Sequence, residues 1–150
     1  MKDADTTKTF DENQMYQAMG IGTVGGVYMT PAELDKLMLS LDDQFPEAVR
    51  KFSIGKSYQN RDINAYLIGI GLESKDVTMT KPGVLMIGAH HAREASSVSM
   101  CVYTVLRLLY GYVKGHDDAT YLLSNTALVV VPVLNIDGYK SIADHFAATG

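Results

Sequence analysis

Val84-Leu85-Met86-Ile87-Gly88-Ala89-His90-His91-Ala92-Arg93-Glu94 is the stretch that decides the fold. Its first four residues form a short continuous apolar run, the pattern expected of a strand buried on both faces at the centre of a sheet. From Ala95 to Val113, Val98, Val102, Val105, Leu106 and Leu109 recur at helical spacing. A strand therefore feeds directly into a helix, and His90 to Glu94 form the turn between them. In open α/β sheets the carboxyl edge of the strands is where ligands bind. An imidazole and a carboxylate three residues apart reach one metal ion when the chain turns between them, and zinc accepts both at about 2.0–2.2 Å. His91 and Glu94 have that spacing. Side chains adjacent at a strand end point in opposite directions, so at most one of His90 and His91 faces a metal held by Glu94. Without that setting the pair reads as a surface histidine and a glutamate whose charge suits the positive end of a helix.

Working outward, the upstream chain opens a helix with Thr30 as N-cap, Pro31 at the first helical position and Glu33 three residues after the cap. Leu34, Leu37, Met38 and Leu41 make its apolar face, and Pro46 closes it. Phe52 to Ile54 read as a short strand entering the polar turn Gly55 to Arg61, and Ile63, Ala65, Leu67 and Gly69 alternate as the returning strand of a hairpin. Glu73 to Pro82 is a polar loop. Downstream, Gly115 and Asp117-Asp118 break the long helix, Tyr121 to Leu123 suggest one more short helical turn, and Ala127 to Leu134 form a second buried strand. Asn135-Ile136-Asp137-Gly138 marks its end. The order of helix, hairpin, strand, helix and strand predicts an α/β fold with a mixed parallel and antiparallel sheet and flanking helices. Residues 1–26 show no sustained period and read as an irregular leader.

With 150 residues, 47% hydrophobic and 20% charged, the composition is that of one soluble globular domain. The net charge of −4 is spread without blocks of either sign, which argues against a nucleic-acid partner. No segment has the length of a membrane span or the apolar centre of a secretory signal, so no membrane is expected and the chain is cytoplasmic if Met1 is the native start. Cys101 stands alone in an apolar stretch and reads as a small buried hydrophobe.

His91-Ala92-Arg93-Glu94 resembles the His-x-Arg-Glu segment of zinc metallocarboxypeptidases of the carboxypeptidase A/B type. Gly55 to Ile63 is similar to that family's Gly-x-Ser-x-x-Gly-Arg-x-Ile stretch, with Asn60 where glycine is frequent, and Asn135-Ile136-Asp137-Gly138-Tyr139 to its Asn-Pro-Asp-Gly-aromatic turn. The resemblance runs from about Tyr28 to Tyr139. It implies that residues 27–150 are the N-terminal part of a single carboxypeptidase-like (zinc exopeptidase) catalytic domain. It further implies that His91 and Glu94 bind one Zn2+ ion and that Arg93 contacts the substrate peptide. The third ligand, the general base and the groups that hold a substrate carboxylate are expected beyond Gly150, and His116 and His145 come too soon after the motif for the family pattern. The implied activity is zinc-dependent removal of C-terminal residues from peptides or proteins, with this piece inactive alone. The competing reading is a non-catalytic pseudoenzyme or interaction module on the same layout. A deacylase relative with a similar His-x-x-Glu pair is disfavoured by Arg93 and by the Asn135 to Tyr139 turn.

Overall fold

The computed structural model describes residues 28–72 and 81–149. The leader 1–26 and residues 73–80 of the polar loop Glu73 to Pro82 lie outside the described residues. Helix α1 (Pro31–Gln44) begins as its sequence dictates: the Glu33 N–H donates to Thr30 Oγ1 at 3.2 Å and the Thr30 N–H to Glu33 Oε2 at 2.7 Å. The box satisfies two of the amides that a helix start otherwise leaves unpaired. Leu34, Met38 and Leu41 are its buried stripe. The helix ends at Phe45, which takes a non-helical conformation because the following Pro46 disfavours helix at the residue before it.

Strands β1 (Val49–Lys56) and β2 (Asp62–Ile68) form the expected antiparallel hairpin, in register from Val49 opposite Ile68 to Ser53 opposite Asn64. The register then shifts before Lys56 meets Asp62. Gly55 sits in that irregularity at φ +144°, a conformation that suits glycine. Strand β3 (Gly83–Ile87) leads into helix α2 (Ala95–Val113), whose bounds match the helical spacing of its sequence. Helix α3 (Asp117–Asn125) is a full nine-residue helix, longer than the single turn read from Tyr121 to Leu123. Strand β4 (Ala127–Val131) follows, and helix α4 (Ile136–Thr149) completes the order.

The sheet order is β1-β2-β4-β3, with β2 antiparallel and β3 parallel to β4, so the mixed sheet expected from the sequence is present. β2 and β4 are buried on both faces: Ala65 to Ile68 and Val130 and Val131 are all 4% exposed or less. Tyr66 points toward α1, where its hydroxyl donates to Asp35 Oδ1 at 3.1 Å. α1 packs on β1 and α4, while α2 packs on α3 and β3.

One expectation is corrected. β3 pairs only with β4 among the described residues and is an edge strand there, with Val84 52% and Leu85 63% exposed. The inner positions belong to β2 and β4. An unbroken apolar run says that both faces suit burial, but it carries no information about which neighbours pair with its backbone. None of the described helices is long and apolar enough to cross a membrane.

Candidate metal-binding site

Parallel pairing in register brings Ile87 and Val131 level, so β3 and β4 end side by side and the residues after them must run close together. Gly88 makes that approach possible. A Cβ there would lie 2.5 Å from the Pro132 carbonyl oxygen, a clash with backbone, and a tight 3.2 Å from Cys101 Sγ. The Gly88 N–H donates to Val131 O at 2.8 Å, Leu134 N–H to Gly88 O at 3.1 Å and Asn135 N–H to Ala89 O at 3.0 Å. These bonds continue the ladder past the strands and fix the backbone from which the turn departs. Ala89 then adopts φ +43°, unusual for a residue with a side chain, and is fully buried.

That reversal carries His90 and His91 out to the surface, and Glu94 lies where α2 begins. His91 Nδ1 lies 3.0 Å from Glu94 Oε1, with the two side chains 76% and 50% exposed. The separation is close to the ~3.4 Å edge of a tetrahedron built on ~2.1 Å ligand bonds, so small rotations of the pair suffice to hold one zinc ion. The donor set, one imidazole nitrogen and one carboxylate oxygen, suits that ion. Among the described residues no third histidine, cysteine, aspartate or glutamate joins the pair. His90 is exposed and takes no part in the contact, His116 stacks edge-on against Tyr110 at 6.1 Å, and His145 lies against Phe146 at 6.3 Å. Arg93 is exposed in the same turn and makes no ion pair with any described residue.

A second network supports the turn from below, and sequence reasoning did not see it. Asp137, in the first turn of α4, accepts from Ser57 Oγ at 2.8 Å, from the Gln59 backbone N–H at 3.0 Å and from Arg61 Nη1 at 2.5 Å. Arg61 also donates to the Gln59 side-chain oxygen, and its own N–H donates to Ser57 Oγ at 3.0 Å. The hairpin turn and the start of α4 are thereby one unit. Loss of solvent works to raise the Asp137 carboxyl, but the Gln59 amide, the Ser57 hydroxyl and the Arg61 guanidinium outweigh it and hold the group below its ordinary value. The next residue, Gly138, abuts the turn that carries His91 and Glu94: a Cβ on it would come 2.8 Å from the Ala92 Cβ. Hairpin turn, Asp137, Gly138 and Ala92 thus form a continuous path of contacts ending between His91 and Glu94. Both motifs were visible in the sequence as separate segments, but nothing in a single sequence joins residues about 80 positions apart.

α4 begins shortly after β4 ends. Asn135 caps it, accepting from the Gly138 N–H through Oδ1 at 3.0 Å, and the Tyr139 N–H makes the first helical bond to the Asn135 carbonyl at 3.0 Å. In sequence this segment reads only as the end of a strand; Asn135 with an acidic residue two places on is the signal that marks the helix start. A cleft of about 390 Å³ opens at the same edge of the sheet between α1 and the hairpin. Neither His91 nor Glu94 lines it, and its Asp35 carboxylate already accepts from Lys51, Asn64 and Tyr66 at 3.2, 2.9 and 3.1 Å.

Residues 34–147 match the family model described as zinc carboxypeptidase. A protein of Sclerotinia sclerotiorum named inactive metallocarboxypeptidase ecm14 is 36% identical over 103 residues, 68% of this chain and 17% of its own length. A protein of Uncinocarpus reesii with the same name is also 36% identical, over 68% of this chain and 18% of its own. The chain thus spans less than a fifth of these relatives. Among solved structures, thrombin activatable fibrinolysis inhibitor superposes with a TM-score of 0.67 at 20% identity, over 87% of this chain and 33% of that one. Carboxypeptidase A from Helicoverpa armigera gives 0.62 at 25% identity, over 75% of this chain and 26% of its own. The chain folds as part of that α/β architecture, and it belongs to the zinc carboxypeptidase family.

Proposed function

We propose that His91 and Glu94 are two protein ligands of a single zinc ion in a metallocarboxypeptidase, and that the complete protein removes C-terminal residues from peptides or proteins. The observation that carries this reading is the 3.0 Å approach of His91 Nδ1 to Glu94 Oε1 at the carboxyl edge of the sheet. The chemistry such an ion supplies when bound is polarisation of a carbonyl and a lowered pKa for water. What the chain itself contributes is placement. The strained Ala89 turns the backbone outward, the imidazole and carboxylate converge, and Arg93 extends from the same turn with its guanidinium uncommitted to any described acid. A guanidinium unpaired among the described residues and next in sequence to Glu94 suits a contact to peptide carbonyls or carboxylates. The third ligand and the proton-transferring base belong to sequence outside these 150 residues in this reading, so the piece by itself hydrolyses nothing.

A second reading has a specific observation behind it: two of the similar proteins are named inactive metallocarboxypeptidases. In that case the fold and the metal pair persist without turnover. One experiment separates the possibilities. The complete protein and its His91→Ala/Glu94→Ala variant are assayed for bound zinc by elemental analysis and for release of C-terminal residues from blocked dipeptides and longer peptides. Zinc and release both lost in the variant supports the peptidase. Zinc lost from a protein that never released anything supports the non-catalytic reading. Zinc retained at the wild-type level in the variant overturns both.

A further inference from the structure

Glu94 occupies the N-cap position of α2, yet its side chain makes no capping hydrogen bond. The amide that such a cap would receive belongs to Ser97, and it donates instead to the Glu94 backbone carbonyl at 3.0 Å. The Ser97 hydroxyl reinforces that arrangement by donating to the same carbonyl at 2.6 Å, while its oxygen accepts from the Ala89 N–H at 2.8 Å. One hydroxyl therefore joins the residue where the chain leaves β3 to the residue where it enters α2, and the metal turn is the loop between them. With the helix start satisfied through its carbonyl, Glu94 keeps its carboxylate free to face His91.

We propose that Ser97 is the positioning residue of the metal turn: by tying Ala89 to Glu94 it holds the imidazole and carboxylate at the spacing a divalent cation needs, and so sets zinc affinity. The proposal rests on the reading that His91 and Glu94 bind the metal. Two features make the hydroxyl matter. Ala89 is fully buried in a backbone conformation that residues with side chains seldom adopt, so its N–H has no water to turn to and the conformation must be held by its surroundings. The metal pair itself is exposed, with side chains 76% and 50% accessible, so packing does little to orient it and the backbone geometry must.

The test uses the complete protein, stripped of metal and titrated with zinc against a chromophoric chelator. Ser97→Ala is expected to weaken zinc binding about tenfold, the lower end of what loss of an outer-shell partner costs. Ser97→Thr, which keeps the hydroxyl, restores it. Val105→Ala, a core truncation in the middle of α2 at a fully buried position, lowers the melting temperature and leaves zinc affinity unchanged. In Ser97→Ala the Ala89 amide exchanges with solvent faster than in wild type. If Ser97→Ala does not fold, Ser97→Thr against Ser97→Val makes the same comparison at matched shape, and the valine form is the weaker binder. Unchanged affinity in the alanine or valine form overturns the proposal. Zinc binding that survives His91→Ala/Glu94→Ala overturns the metal reading beneath it, whereas loss there with no effect at position 97 removes the role of Ser97 alone.

Discussion

Asp137 shows how much of the candidate site's framework is made by residues outside the His91–Glu94 pair. Its carboxylate gathers a hydroxyl, a backbone amide and a guanidinium from the hairpin turn, with Ser57 80 positions earlier in the chain. Those donors favour the ionised form and hold the group below its ordinary value of 3.8. In the unfolded chain the group returns to that ordinary value, so near neutrality both states are ionised and the stabilisation is complete. As pH falls through 3.8 the unfolded state takes up protons first, and the contribution is lost by the time pH passes the lower folded value. Asp137→Asn is therefore expected to melt below wild type at pH 7, with the gap narrowing below about pH 4 and then closing. Melts recorded from pH 7 down to pH 3 check it, and a gap that stays constant with pH contradicts it. The approach of His91 to Glu94 was legible in the sequence because the spacing that brings them together is local. The partners of Asp137 and the hydroxyl of Ser97 were not, because a serine or an aspartate on a surface element has many roles and only the folded chain says which neighbours it meets.

At the scale of elements, legibility follows how much of the cause is local. α1 could be placed to the residue because its signals, Thr30, Pro31, Glu33 and the stripe of Leu34, Met38 and Leu41, all lie within the helix. Thr30→Ala removes the side chain that accepts from the Glu33 N–H and is expected to cost about 1 kcal/mol, read as a lower urea midpoint at unchanged slope. α4 was obscured because Gly138, four residues into an Asn-Ile-Asp-Gly sequence, imitates a turn. Its glycine is needed for the close approach to Ala92, and Asn135 starts a helix there instead of ending the chain's regular structure. The apolar run of β3 was recognised as a strand, but its place in the sheet depends on pairing partners remote in sequence. What the sequence around it did encode is Gly88. With a Cβ there 2.5 Å from a backbone carbonyl, which has no side-chain torsion to relieve the clash, Gly88→Ala must spread β3 from the chain after β4. The expected loss is on the order of 1–3 kcal/mol by denaturant unfolding, and a variant as stable as wild type would show that the two segments separate freely.

At the scale of the whole molecule, the feature with the largest consequence is the outer edge of β3, which no strand among the described residues covers. β4 has strands on both sides, and β1 at the far edge ends in charged and polar residues, among them Lys56 in an ion pair with Asp62 at 2.8 Å. β3 presents Val84 and Leu85 on opposite faces of an edge strand, both more than half exposed, and it has no bulge, proline or charge in its length. Edge strands that stay monomeric generally carry one of those guards, because an unguarded row of backbone donors and acceptors pairs with any strand that approaches. The described part of the chain therefore combines a well-buried centre with an adhesive margin. The 150-residue chain expressed by itself is expected to associate as its concentration rises, seen as a growing mass in light scattering coupled to size exclusion. Leu85→Lys should shift it back toward the monomer, since a charge on the strand opposes stacking of like edges while leaving the β3 ladder to β4 intact. The melting temperature of the lysine form should stay close to wild type, because Leu85 is 63% exposed and its removal forfeits little burial. A wild-type chain that remains a monodisperse monomer at every concentration would show that β3 is protected in some other way, and a Leu85→Lys form that associates as strongly as wild type would place the adhesive surface elsewhere.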